Sequence, residues 1–583
     1  MNCIFHFLSF FISNTHATMF TVVHLPVELV HCIGCHMLDI SRHDVLCTFS
    51  RTCTSLHCDL LFCFNKAKEL SLVDAWKNNF RAVLRNVSAE QMAIIDRHFQ
   101  RECAQDIATL SDRISIAECC TEEGNWDALK VIIAQAPAIF TDEHVMSLLS
   151  KACAKGHLNI AQWLTSKFHL AAEQHELTGH IRHFSLRWTC KNGHLEVAQW
   201  MTEKFGLTVD DARTDDNYAL HESCTNGHLK VAQWLVENFQ LTTDDARTRL
   251  NQTIQQSCER GHLEVAQWLT QQFGLNAEDA QSAGNYALRY SCTNGHLEVA
   301  QWLTHKFGLT VEDARTFNNH ALRWSCRNGH FKVVQWLTEH FGLTVEDART
   351  TDNMPLQSSC ENGHLNIAQW LAHRFGLTVE DARGNDNLAL QYSCANGHLD
   401  VAQWLADHFG LTVEDARTDG NVALHSSCVN GHLKVVQWLV EEVGLTVEDV
   451  RSADNLALRL SCGGGHLHVA QWLVHHFGLT VDDARSNDNY ALMWSCTRGY
   501  LNVAQWLTHH FGLTADDARA RNNVALRWSC ANGHLEIAQW LTCHFGLTVE
   551  DARSGDNFAL EWSLKYRRVK VVHWLKEQFG LGD

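Results

Sequence analysis

The chain has 583 residues, 45% of them hydrophobic, with three prolines and a formal net charge of −19 from 66 Asp and Glu against 47 Lys and Arg. That balance argues against a nucleic-acid backbone or an anionic membrane as the main partner, since both need a basic surface. No run of 18 apolar residues occurs, so no membrane-spanning helix is expected. The 23 cysteines, about half at one repeated position, lack the short, paired pattern of a secreted disulfide framework. They are read as reduced thiols, which implies an intracellular setting, cytoplasmic or nuclear.

In chain order, residues 3–12 (CIFHFLSFFI) resemble the apolar part of a signal peptide, but no Lys or Arg precedes them and Met19 offers an alternative start. Residues 1–19 are expected to be a disordered leader. The stretch 25–56 opens with Leu25, Pro26, Glu28 and Leu29, continues through Ile33 and Leu38, and then carries Asp44, Val45, Phe49, Cys53 and Leu56. On these residues the segment 20–65 resembles an F-box. The resemblance implies that Leu25, Pro26, Glu28, Leu29 and Ile33 dock the adaptor subunit of a cullin-type ubiquitin ligase. The plainer alternative is a small helical cap with the same apolar spacing. Cys32 and Cys35, with Cys53, His57 and Cys58, have partial zinc-ligand character. However, Cys32 and Cys35 fall on the F-box-like first helix, where they need no metal, and neither metal nor cofactor is assigned. Residues 66–114 read as a polar helical linker without a motif.

From Gly156 the sequence repeats with a period of 34 residues after a first step of 37, through Gly193, Gly227, Gly261, Gly295 and onward to Gly533. A degraded copy follows with Arg567 and Arg568 at the Gly-His place, and an earlier copy centres on Gly124. In the unit 285–319, Asn285 is expected to cap a first helix, YALRYSCT. Asn294 and Gly295 turn the chain into a second helix, HLEVAQWLTHKF, which Gly308 closes. Thr310 and Asp313 then stand at capping-box spacing for one further turn. Ala287, Leu288, Ser291 and Cys292 share the inner side of the first helix. Leu297, Val299, Ala300, Trp302, Leu303 and Phe307 form a wide apolar face on the second. No copy buries such a face alone, so the copies must stack.

The unit resembles an ankyrin repeat. Leu288 matches that family's leucine, Ser291 and Cys292 its small pair, and Gly295 and His296 its Gly-His. The Thr-Pro is missing, the unit is one residue longer, and LTVEDAR stands where a β-hairpin finger is usual. The expected fold is all-α, an ankyrin-like helical solenoid of about 13–14 repeats over 115–583 behind the small F-box-like domain.

The repeated cysteines (Cys153 to Cys530) are read as buried filler, the repeated histidines as backbone partners at a helix start, and the tryptophans from Trp163 to Trp574 as core. What varies between copies is more informative. The outward face of the first helix carries Arg187, Trp188, Arg289, Tyr290, Arg323, Trp324, Tyr392, Trp494, Arg527 and Trp528. Trp, Tyr and Arg dominate interface hot spots, and in ankyrin proteins this face lines the concave groove, so these residues are the expected protein-binding site. No catalytic motif stands out, and the chain is not read as an enzyme. The expected function is protein–protein interaction, as a substrate-recruiting receptor of a cullin-type ubiquitin ligase. The alternative is a repeat scaffold with no ubiquitin role.

Overall fold

The computed structural model describes residues 107–135, 137–170 and 185–581; the F-box-like segment with Leu25, Pro26, Glu28, Leu29 and Ile33 lies outside the described residues. Among the described residues every regular element is helical, in repeated pairs, which makes the fold the all-α ankyrin-like solenoid that the period predicts. They form two compact units. The first runs to Ser257 and includes His262–Asp279; the second comprises Cys258–Gly261 and the chain from Ala280 onward.

One copy of the second unit shows how the sequence dictates the path. Helix α1 (Leu297–Phe307) closes at Gly308, whose φ of 64° is left-handed as a helix C-terminus often requires. Thr310 and Asp313 complete the expected capping box at the start of α2 (Val311–Ala314). Where a β-hairpin finger was in question, the chain instead makes a left-handed turn at the start of α3 (Thr316–Arg327). Phe317, Asn318 and Asn319 hold φ of 53°, 54° and 56°. This region costs most L-residues roughly 1–2 kcal/mol each and Asn and Asp least. The equivalent triplets accordingly read Asp-Asp-Asn at 215–217 and Asn-Asp-Asn at 385–387 and 487–489. Gly329 then turns the chain into α4 (Phe331–His340).

Asn285 ends such a triplet at φ 58°, buried, with its Oδ1 lacking any hydrogen-bond partner, so it is not the side-chain cap expected. Its equivalent Asn319 shows what the amide does. Nδ2 donates to Asp347 Oδ1 at 3.1 Å and to Thr350 Oγ1 at 2.7 Å in the next copy.

Three further contacts recur between successive copies. The serine of the small pair reaches back, Ser325 Oγ donating to Cys292 O at 2.9 Å. The histidine of Gly-His lies over the glycine of the preceding copy and bonds backbone there, as His364 Nε2 does with Arg327 O at 3.0 Å. Tyr500 and Arg568 occupy the same seat over Gly465 and Gly533. The third contact is a ladder of bidentate ion pairs. Arg383 Nε and Nη2 lie 2.7 and 3.0 Å from the two oxygens of Asp415, and Arg349–Asp381, Arg417–Asp449, Arg451–Asp483, Arg485–Asp517 and Arg519–Asp551 repeat it. The first unit carries Arg213–Asp245 and Arg247–Asp279.

The tryptophans differ from expectation: Trp438 is buried, but Trp302, Trp336, Trp404 and Trp540 are half-buried. These four stand edge-on to the phenylalanine five residues later, as Trp336 does to Phe341 at 5.4 Å, and three of them carry a flat histidine as well.

Gly363 and Gly376 separate strain from contact. At Gly363 (φ 75°) a Cβ would stand 2.6 Å from His398, whereas at Gly376 (φ 61°) it would meet nothing within 4 Å. Gly376→Ala is expected to cost about 1 kcal/mol from backbone strain alone. Gly363→Ala should cost clearly more, and His398→Ala should relieve part of that excess. Denaturant midpoints of the two singles and the double check this.

The histidines make stability pH-dependent. Burial holds His194, His228, His296, His330, His432, His466 and His534 below the ordinary histidine range, against an opposing pull from their backbone bonds. Burial and then neighbouring arginines bring His320 and His425 down to about 4. An unfolded histidine titrates near pH 6.5. Each ring therefore contributes stability that is complete above about pH 6.5 and is lost as pH falls toward its depressed folded value. Thermal midpoints should be level above about pH 7 and fall between about pH 6.5 and 5. A level profile down to about pH 5 refutes this account.

Candidate protein-binding face

The first helix of each copy holds the expected site residues, and the structure separates them into two kinds. At the position of Arg323 the side chain turns back along its own copy. Its Nε donates to Asn318 O at 2.7 Å and its Nη2 to Phe317 O at 3.0 Å. Arg289 does the same to Gly284 O and Ala283 O, at 2.7 and 3.0 Å, and Arg527 Nη1 donates to Asn522 O at 3.2 Å. Gln357 and Gln391 replace the guanidinium with an amide and reach Asp352 O and Asp386 O. The acceptors belong to the left-handed triplet, whose carbonyls point away from any helical partner, so this side chain fastens the turn. Arg289 is for that reason 6% exposed instead of outward-facing.

One residue further on, the aromatic side chains stay partly exposed. Trp188, Tyr290, Trp324, Trp494 and Trp528 are half-buried, and Tyr392 is 39% exposed. In the second unit they join runs that cross from copy to copy. Tyr290 stacks on Tyr286 at 4.1 Å and approaches His320 of the next copy at 5.3 Å, and His320 reaches Trp324 at 5.8 Å. Phe317 is 62% exposed and rests 4.1 Å from the Arg289 guanidinium. A second run pairs Tyr490 with Trp494 at 4.4 Å, with Arg498 over Trp494 and Arg459 over Tyr490. A third joins Trp528 to Phe558 at 5.1 Å and to Trp562 at 6.3 Å, with Arg527 over Phe558. In the first unit, Lys191 lies over Trp188, while Arg187 pairs with Asp215 and lies near Tyr218. No ring or cation contact joins Tyr392 to the other expected residues among the described ones.

Tyr286, Phe317, His320, Tyr490 and Phe558 complete these runs and were missed, whereas Trp562 stands at the Tyr290 position of its own copy. A signal for three of them stands in the sequence: aromatic pairs four residues apart, at 286/290, 490/494 and 558/562, share one helix face.

The cysteine ladder offers no reactive site. Cys153 to Cys530 of the ladder are buried, and burial pushes their thiols up, at Cys394 to about 12. Among the described residues no cluster of His, Cys, Asp or Glu has the grouping of a metal site.

Residues 149–245 and 375–454 match a family model described as "Ankyrin repeats (3 copies)", and 254–304 match "Ankyrin repeats (many copies)". These stretches are ankyrin repeats, as the Gly-His pattern implied. A search of curated proteins finds no match. Among solved structures, the chain is similar to "Crystal structure of the pentatricopeptide repeat protein PPR10 from maize", at 12% identity and a TM-score of 0.28, covering 95% of this chain and 89% of that one. That likeness is too slight to carry an argument.

The thiols give a direct check on this geometry. In native protein under an alkylating reagent, exposed Cys543 should react quickly and Cys153 to Cys530 of the ladder slowly, because the reactive species is the thiolate. Peptide mapping that finds the ladder modified as fast as Cys543 contradicts the buried placement.

Proposed function

We propose that this chain is a non-catalytic protein-binding repeat protein, and that it acts as a substrate receptor of a cullin-type ubiquitin ligase. Its first-helix face, at Arg187, Trp188, Arg289, Tyr290, Arg323, Trp324, Tyr392, Trp494, Arg527 and Trp528, holds the captured protein. The F-box-like segment docks the adaptor through Leu25, Pro26, Glu28, Leu29 and Ile33. The observation that carries the binding half is the set of aromatic runs. Their rings keep a face toward solvent in copies where other copies place Ser358, Ser426 or Gln256 at the same position, so packing does not demand them. Large aromatic residues beside arginine are the usual composition of interface hot spots. Ankyrin repeats over 149–245, 254–304 and 375–454 support a protein partner. No helix among the described residues is long and apolar enough to cross a membrane. The ubiquitin half rests on the sequence of 25–56 alone. The repeat scaffold with no ubiquitin role is the second reading, favoured by the fact that the reported family matches fall on the repeats and not on that segment.

The two halves are tested separately. Leu29→Asp should abolish co-purification of a cullin-ligase adaptor from eukaryotic lysate while leaving the melting of the repeats unchanged. If the wild-type chain recovers no adaptor, the scaffold reading takes its place. Trp494→Ala with Trp528→Ala should weaken a captured partner by at least about 2 kcal/mol. Unchanged affinity in the double variant would remove the face from the site.

A further inference from the structure

The run at Tyr290, Phe317, His320 and Trp324 departs from the rest of the chain in three ways. Phe317 is a bulky aromatic in the left-handed region, at φ 53°, and 62% exposed. Other copies place Asp215, Arg249, Ala283, Thr351, Asn385, Asp419, Ala453, Asn487, Arg521 and Gly555 at that position, none of them aromatic. An exposed phenyl ring on strained backbone gains nothing from burial and loses the local hydrogen bonding that lets Asp and Asn sit there. Second, Gly284 of the preceding copy leaves room for the ring; Gly420 shares that position, while Asp352, Asp386, Asp454 and Asp488 stand there in other copies. Third, Arg289 and Arg323 carry their charge beside these rings without a carboxylate partner among the described residues. Their donors go to backbone carbonyls and, at Arg323, to the Met354 sulfur. Neither first helix, 285–294 or 319–328, carries an acidic residue. Burial holds both guanidinium groups below the ordinary arginine range, as expected for desolvated cations that no anion compensates.

We infer that this patch docks an acidic, extended segment of the partner protein, an inference that rests on the first-helix face being the binding site. An apolar or aromatic side chain of the segment lies against Phe317, Tyr290 and Trp324, and a neighbouring carboxylate faces Arg323. Charge complementarity selects the occupant. The chain as a whole carries −19, yet the first helices of this patch carry Arg289, Arg323 and Arg327 and no acidic residue, and the neighbouring Glu259 and Glu361 are engaged by Tyr286 and Arg327, so an acidic segment is repelled by the body and attracted here. A carboxylate also adds a charge-assisted partner to guanidinium groups that have only neutral acceptors.

The test uses the full chain and two random copolymers, poly(Glu,Tyr) and poly(Lys,Tyr), followed by fluorescence polarisation of labelled polymer. Phe317→Asp installs the residue found at 215 and 419 and so preserves the fold, and Arg323→Gln installs the residue type found at 357 and 391. Wild-type protein should bind poly(Glu,Tyr), and each variant should weaken that binding at least about fivefold with an unchanged melting midpoint. Poly(Lys,Tyr) is attracted to the acidic body, and its binding should ignore both variants. If poly(Lys,Tyr) alone responds to them, the face binds segments of the opposite charge and the inference falls while the face stands. If neither polymer responds, both fall.

Discussion

A single carboxylate per copy ties local structure to the array. Asp347 Oδ2 accepts from the Thr344 amide at 2.8 Å and its hydroxyl at 3.2 Å, which starts the short helix Val345–Ala348. The same group accepts both nitrogens of Arg315 from the preceding copy at 2.9 Å, and the Asn319 amide at 3.1 Å. Burial pushes the carboxyl up, yet those donors outweigh it and hold Asp347 below the ordinary aspartate range. The short helix thus cannot form well without its cap, and the cap is also the clasp between copies. An isolated exposed ion pair contributes little. Here the carboxylate is buried and fully donated to, and the unit recurs down the array, which is how a one-dimensional solenoid makes neighbour contacts carry its stability.

Much of this was legible in the sequence, for reasons that differ by element. Gly308, the Thr310–Asp313 box and the Gly295–His296 turn were readable because each is settled within a few residues by backbone chemistry. The Arg–Asp clasp was not. Its partners stand 32 residues apart, and the Glu-Asp pair has a sufficient local explanation as helix-start charge. Asn285 misled for a related reason. An asparagine before a helical run is normally a cap, but three left-handed residues in succession turn its amide toward the next copy. The tryptophans were placed on the right face but too deep, since periodicity gives direction and not depth.

The expected binding residues show the same limit. Alternation between copies identified the aromatic position correctly as one that packing leaves free. The arginine before it also varies between copies, which from sequence alone looks like surface drift. In the structure Arg and Gln at that position both reach the carbonyls of the left-handed turn, while His221, His425, Met493 and Glu561 stand there in other copies. Where it is Arg or Gln, the side chain answers a backbone requirement.

Repeats also permit an internal comparison that a single globular domain does not. Where one position is occupied in nearly every copy by residues that the backbone favours, a copy that departs from them must be explained by something other than folding. The span from Gln281 to Trp324 gathers several such departures. Gln281 replaces the clasp arginine and gives Asp313 a single bond at 2.9 Å where other copies have two. Phe317 then puts a bulky aromatic into the left-handed turn, and Gly284 leaves room for its ring. Gln281 weakens the clasp and Phe317 strains the turn, and both stand in the span that carries Tyr290 and Trp324. Their concentration around two uncompensated arginines is what a binding site built at the expense of local stability would leave in the sequence.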